Sequence, residues 1–203
     1  MKLTWLGHSC FLAETALGRA VFDPYAEGSV PGYGAVRVEA EAVFCSHDHR
    51  DHGAAQAVTL SGAPLTAQIE VINTYHDDRL GLLRGRNKIH ILHAEGMRLA
   101  HLGDLGHMLS GSALKALRGV DVLLLPAGGH YTIDAKTAKK LADAVGARIV
   151  VPMHYRLGER GYPVLAELSD YTDRCDNVVY YPENTLEITG QTPAQTAVLT
   201  YIA

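Results

Sequence analysis

A chain of 203 residues, 47% hydrophobic and 20% charged, is long enough for one domain with a substantial core and too short for two of ordinary size. This composition excludes a disordered or fibrous protein, and a net charge of −4 supplies no broad attraction to nucleic acid or to an anionic membrane. No apolar run approaches the ~20 residues of a membrane helix, and the opening residues alternate like a strand rather than a secretory leader, so a cytoplasmic protein with no membrane partner is expected.

Residues 2–6, 10–14 and 19–23 read as the strands of a meander, closed by Asp23-Pro24 and followed by a Gly- and Pro-bearing loop over 25–34. Loops of that length inside a compact domain tend to be functional. The apolar run Ala42-Val43-Phe44-Cys45 reads as a strand that delivers Ser46-His47-Asp48-His49-Arg50-Asp51-His52-Gly53. Three of the eleven histidines and two aspartates fall within six consecutive positions there. Side chains alternate at a strand end, so His47 and His49 project one way and Asp48 and Arg50 another, while the turn at Asp51-His52 offers a carboxylate and a third imidazole to a second ion. Imidazole with carboxylate suits zinc, iron or manganese. The three cysteines, Cys10, Cys45 and Cys175, are widely spaced and read as reduced thiols.

A short helix is expected over 52–58, then strands over 64–67 and 69–75 that end in His76. The polar loop 79–87 carries Arg79, Arg84 and Arg86, whose forked guanidinium groups suit phosphate or carboxylate. Residues 88–93 and 97–102 form a hairpin turning at Glu95-Gly96, in which His90 and His93 must face opposite sides. Residues 112–118 read as a helix stopped by Gly119, and 120–125 as a strand buried on both faces. A glycine-rich turn then leads into a helix capped by Asp134 or Thr132, with Ala135, Ala138, Leu141, Ala142 and Val145 on one face. Backbone amides of that turn can hold an oxyanion, with His130 or Tyr131 acting on the leaving group. A buried strand over 148–152, an amphipathic helix over 163–174 and strands over 178–181, 186–189 and 197–202 complete the chain.

The pattern His47-X-His49-X-Asp51-His52 closely resembles that of the metallo-β-lactamase superfamily. The segments Trp5-Leu6-Gly7-His8-Ser9-Cys10-Phe11, His101-Leu102-Gly103-Asp104-Leu105-Gly106-His107 and Gly128-Gly129-His130-Tyr131-Thr132-Ile133-Asp134 are similar to its small stand-alone hydrolases related to ascorbate-6-phosphate lactonases. The resemblance implies an α/β fold, a four-layer αββα sandwich of two packed mixed β-sheets flanked by helices, formed by residues 1–203 as a single domain. It also implies one metal held by His47, His49 and His76, with His93 or His101 as substitutes for His76, and another held by Asp51, His52 and His154. Asp104 would be shared between the ions, His8 and His107 would lie beside them, and Tyr25 and Tyr33 would stand near the mouth.

The implied enzyme is a metal-dependent hydrolase that uses water activated by two divalent metal ions, Zn2+ with Mn2+ or Fe as alternatives, on a lactone, ester or phosphodiester bond. Asp51 would orient that water and accept its proton, and His130 or Tyr131 would steady the transition state. Its partner would be a small-molecule substrate, anionic if Arg84 and Arg86 reach it. The alternatives are a metal-dependent ribonuclease or phosphodiesterase acting on nucleic acid, which the acidic balance disfavours, and a non-hydrolytic metal-binding or redox protein. A homo-oligomer is open on either reading.

Overall fold

The computed structural model describes residues 1–202. The first half contains β1 (Lys2–Gly7), β2 (Cys10–Thr15), β3 (Gly18–Phe22), β4 (Val38–Ala40), β5 (Ala42–Phe44), β6 (Val58–Leu60), β7 (Gln68–Tyr75) and β8 (Arg86–Ala94). The second contains β9 (Met97–His101), α1 (Gly111–Leu117), β10 (Val122–Pro126), α2 (Ala135–Val145), β11 (Ile149–Met153), α3 (Leu168–Thr172), β12 (Val178–Tyr180), β13 (Thr185–Glu187) and β14 (Gln195–Val198). They form a five-stranded sheet in the order β13-β1-β2-β3-β5, a seven-stranded sheet in the order β12-β14-β11-β10-β9-β8-β7, and a small β4-β6 pair.

The two large sheets face each other as a sandwich, and strand periodicity explains how one strand serves two interfaces. In β10, Val122 and Leu124 join the core between the sheets with Leu3, Trp5, Phe11 and Phe22, whereas Leu123 and Leu125 join a second core beneath the helices. That second core takes Leu117 from α1, Ala138 and Leu141 from α2, and Tyr171 from α3. The helices therefore gather on the seven-stranded sheet. On the other side Val36, Ala40 and Val58, from the segment that holds β4 and β6, pack in the same cluster as Leu12 and Val21.

Local chemistry sets the element ends. The Asp134 carboxylate, one of the two caps expected for α2, accepts from the Thr137 backbone N–H at 2.7 Å, and Gly146 closes the helix at φ 66°. Glu95 and Gly96 form the β8–β9 turn as expected, both at positive φ.

Several expected elements differ. Residues 52–58 make only a 3-10 turn at Ala55–Ala57, because Ala54 N–H donates to Pro24 O and Val58 enters a parallel pairing with Val38. Residues 64–67 form no strand, and Arg86 and Asn87 already belong to β8 rather than to a loop. The helix expected over 163–174 shrinks to α3. Its first half forms a turn, Leu165 N–H donating to Tyr162 O, and is then tied away from helix as Arg156 N–H donates to Ala166 O and Ala166 N–H to Gly128 O.

The registers put the C-terminal ends of β1, β3, β5, β7, β9, β10 and β11 along one edge of the sandwich. Phe22 pairs with Phe44 in parallel, Leu124 with His101, and Pro126 with Met153. Bonds between the sheets fasten this edge, from Lys88 N–H to Ser46 O at 2.9 Å and from His154 N–H to His8 O at 3.5 Å. Gly106 N–H also donates to Tyr75 O at 3.1 Å, and a Cβ at Gly106 would collide with the His76–Asp77 backbone. Gly106→Ala is therefore expected to separate the turns after β7 and β9, lowering stability by about 1–3 kcal/mol. Thermal melting should show this as a fall of several degrees.

Candidate metal centre

Five of these strand ends contribute donors. His8 follows β1, His47 to His52 follow β5, His76 follows β7, Asp104 lies three residues after β9, and His154 follows β11. Their atoms form three overlapping groups within 4.8 Å: His47, His49 and His76; His8, Asp51, His52 and His154; and His47, His52 and Asp104. Asp104 stands between the first two groups. Its Oδ2 lies 3.2 Å from His76 Nε2 and 3.3 Å from His154 Nε2, and its Oδ1 lies 3.1 Å from His52 Nε2.

The residues present fit metal ions. Buried polar atoms normally find a partner, yet His47 Nε2, His52 Nε2, both nitrogens of His154 and Asp104 Oδ1 have no hydrogen-bond partner. Unsatisfied donors and acceptors facing one another within a few ångströms are stable together when a cation sits among them.

A carboxylate that the sequence analysis passed over governs this arrangement. Asp23 is wholly buried, accepts from Ser46 N–H and Ser46 O–H at 2.6 Å each, and accepts from His52 Nδ1 at 2.7 Å. With the Ser46 proton committed to Asp23, His47 Nδ1 at 2.9 Å donates to the Ser46 oxygen. Both imidazoles therefore carry their proton on Nδ1 and turn a bare Nε2 to the site. Burial works against the Asp23 charge, but His101, His52 and Ser46 outweigh it and hold its pKa down to about 2. Burial pushes His47 down to about 4, which keeps it neutral, whereas the Asp104 and Asp23 carboxylates raise His52 against its burial. Asp51 stays ionised below the usual carboxylate range, because neighbouring His8 and His52 overcome its desolvation.

The neighbouring turns are close-fitted. Asn87 accepts from Asp104 N–H at 2.9 Å and donates to Thr74 and Leu102, and a Cβ at Gly103 would strike Asn87 and Ser46. His8, Asp23 and His154 adopt positive φ of 51°, 46° and 54°, an uncommon conformation for non-glycine residues that clusters at functional sites.

A cavity of about 300 Å³ opens over the donors, lined by His49, Asp51, His76, Arg84, Asp104, Tyr131 and Tyr162. The Arg84 guanidinium lies 5.6 Å from the Tyr131 ring centre. Tyr162, unremarked in the sequence, is held by its O–H to Ser29 O at 3.0 Å. Asp77 ties the Arg84 loop by accepting from the backbone N–H groups of Arg79, Gly81, Leu83 and Arg84 at 2.8–3.0 Å. Burial would raise its pKa, yet these four donors hold it at about 2.

Other expected residues lie elsewhere. His130 is exposed, its backbone at φ 57° leaving Tyr131 on the cavity wall. Arg86 lines a separate depression with Cys45 and Lys88. His107 Nδ1 bonds Met108 O at 3.1 Å, and its ring centre lies 6.0 Å from that of Tyr75. His93 faces Glu70 at 3.6 Å, and His101 is locked to Ser9 O at 2.8 Å, so neither takes the place of His76. Tyr25 and Tyr33 are buried supports of the β1 turn, Tyr25 donating to Leu6 O at 2.8 Å, rather than residues of the mouth.

Residues 2–154 match the family model of the beta-lactamase superfamily domain. The chain belongs to the metallo-β-lactamase superfamily. It is 30% identical over 194 residues to a UPF0173 metal-dependent hydrolase of Methanoregula boonei, spanning 79% of this chain and 84% of the relative. A namesake from Carboxydothermus hydrogenoformans is 28% identical, spanning 86% of this chain and 92% of that one. A crystal structure from Thermotoga maritima, assigned to the superfamily as a candidate Zn-dependent hydrolase, superposes with a TM-score of 0.77 at 29% identity, covering 98% of this chain and 97% of the other. Among the described residues of this superfamily member no helix is long and apolar enough to cross a membrane.

Two substitutions test the supports. Asp23→Ala should weaken metal binding by about 10–100-fold, measured by chelator competition, while all metal-facing side chains remain. Asp77→Ala should release the Arg84 loop, raising backbone hydrogen exchange over 79–85 by at least about 10-fold, the loss of several charge-assisted hydrogen bonds.

Proposed function

We propose that this chain is a dinuclear metal-dependent hydrolase acting on a lactone, ester or phosphodiester bond of a small anionic substrate. The observation that carries the reading is Asp104, whose Oδ2 lies 3.2 and 3.3 Å from imidazole Nε2 atoms of the two donor groups, His76 and His154, and whose Oδ1 lies 3.1 Å from His52 Nε2. His47, His49 and His76 would hold one ion, Asp51, His52 and His154 the other, and Asp104 both. Zinc suits this imidazole and carboxylate set, and manganese and iron are compatible with it. Two divalent cations in such a site lower the pKa of a shared water and stabilise negative charge on the attacked group.

The chain's own residues supply the rest. Asp51, ionised and on the cavity wall, accepts the proton of the attacking water. Arg84 binds an anionic group of the substrate, its guanidinium steadied against Tyr131. Tyr131 offers its phenol O–H to the leaving oxygen from the same wall, beside Tyr162, whose own O–H is held by Ser29 O. Burial raises the pKa of Tyr162, which keeps its bond to Ser29 O intact at the cavity wall.

A hydrolysis screen of lactones, carboxylic and thioesters, phosphodiesters and RNA, each with zinc, manganese and iron, tests the proposal. Asp104→Ala should abolish turnover and release bound metal; retained activity in that variant would sink the reading. Arg84→Ala should lower kcat/KM about 10–100-fold for anionic substrates, the loss of one charge-assisted hydrogen bond, and leave neutral esters nearly unchanged. Equal losses on both would remove the anion from the proposal.

A further inference from the structure

His8 is the residue whose surroundings the dinuclear scheme leaves unexplained. Its ring is wholly buried, neither ring nitrogen has a hydrogen-bond partner, and its backbone is left-handed. Packing alone gives no reason for an imidazole there, since an apolar side chain would fill the space without leaving two polar atoms unpaired. The ring is also fixed in place. The His8 carbonyl accepts from Trp5 Nε1 at 3.1 Å and from His154 N–H at 3.5 Å, and Tyr162 stands edge-on to its ring at 5.7 Å.

His8 Nε2 faces Asp51 Oδ2 at 3.6 Å, too far for a good hydrogen bond. That separation suits two donors on one ion instead. The neighbouring pair of His52 Nε2 and Asp51 Oδ2 is 3.7 Å apart, and His154 Nε2 and Asp104 Oδ2 are 3.3 Å apart. A donor atom from each of His8, Asp51, His52 and His154 falls within 4.8 Å of the rest, while the His8 and His154 rings sit 4.3 Å apart between centres.

Resting on the dinuclear reading, we propose that His8 is an additional protein ligand of the second ion, beside Asp51, His52, His154 and the shared Asp104. The two sites are then chemically unequal. Three imidazoles and one shared carboxylate oxygen at the His47 site match the four-coordinate preference of zinc. The His8 site, richer in donors, favours ions at home in higher coordination, manganese or iron. Under mixed-metal loading the two positions should fill with different elements.

The test uses the full chain, stripped with chelator and reloaded with Co(II), comparing the wild type with His8→Gln and His8→Ala. Circular dichroism and melting of the metal-free proteins verify folding. The variants are expected to keep the first ion at wild-type affinity and bind the second at least ~10-fold more weakly. Proton NMR of the Co(II) protein should lose one paramagnetically shifted, exchangeable imidazole N–H signal relative to the wild type, a change that packing loss alone would not cause. Two ions bound at wild-type affinity with an unchanged set of shifted signals would overturn the proposal. So would parallel weakening of both ions with a destabilised metal-free fold, which would make His8 a packing residue. A wild type that binds no ion would instead sink the dinuclear reading on which this one stands.

Discussion

The wholly buried carboxylate of Asp23 is the constraint on which the rest of the site depends. It lies at the end of β3, where the parallel pairing of Phe22 with Phe44 brings it against Ser46. From there one side chain fixes the tautomers of two imidazoles, His52 directly and His47 through the Ser46 hydroxyl. A donor rotated or protonated on the wrong nitrogen cannot serve a metal, so this short network decides whether the histidine-rich turn is a site at all. Its left-handed backbone is a local strain that the surrounding bonds hold in place.

Electrostatics explain why so many ionisable groups tolerate being packed together. Asp23 and Asp104 flank His52 and raise its pKa against the penalty of burial. Two buried carboxylates in a low-dielectric setting favour positive charge between them. A divalent cation among these donors would supply that charge.

The fold and most donors were legible because their signals are local. His47 to His52 are contiguous, and His76 and His154 terminate recognisable strands, so the resemblance located them on segments whose form the pattern had already indicated. The remainder depends on contacts between distant segments. Asp23-Pro24 reads like any strand-ending turn until β5 brings Ser46 beside it. The amphipathic pattern over 163–174 lost to the hydrogen bonds of Ala166, which keep Tyr162 on a loop at the cavity. Likewise the glycine-rich turn offered His130 and Tyr131 equally, and only the backbone conformation decided which of them faces inward.

The strand polarity has a practical corollary at the opposite rim. The reversals at Ala16-Leu17, Glu95-Gly96 and Gly146-Ala147 contribute none of the clustered donors, and they lie where the strands begin or turn back. Chemistry and handling are thus spatially divided in this molecule. A fluorophore, a surface-immobilisation tether or a rearranged chain origin can be engineered at the far rim without entering the coordination sphere.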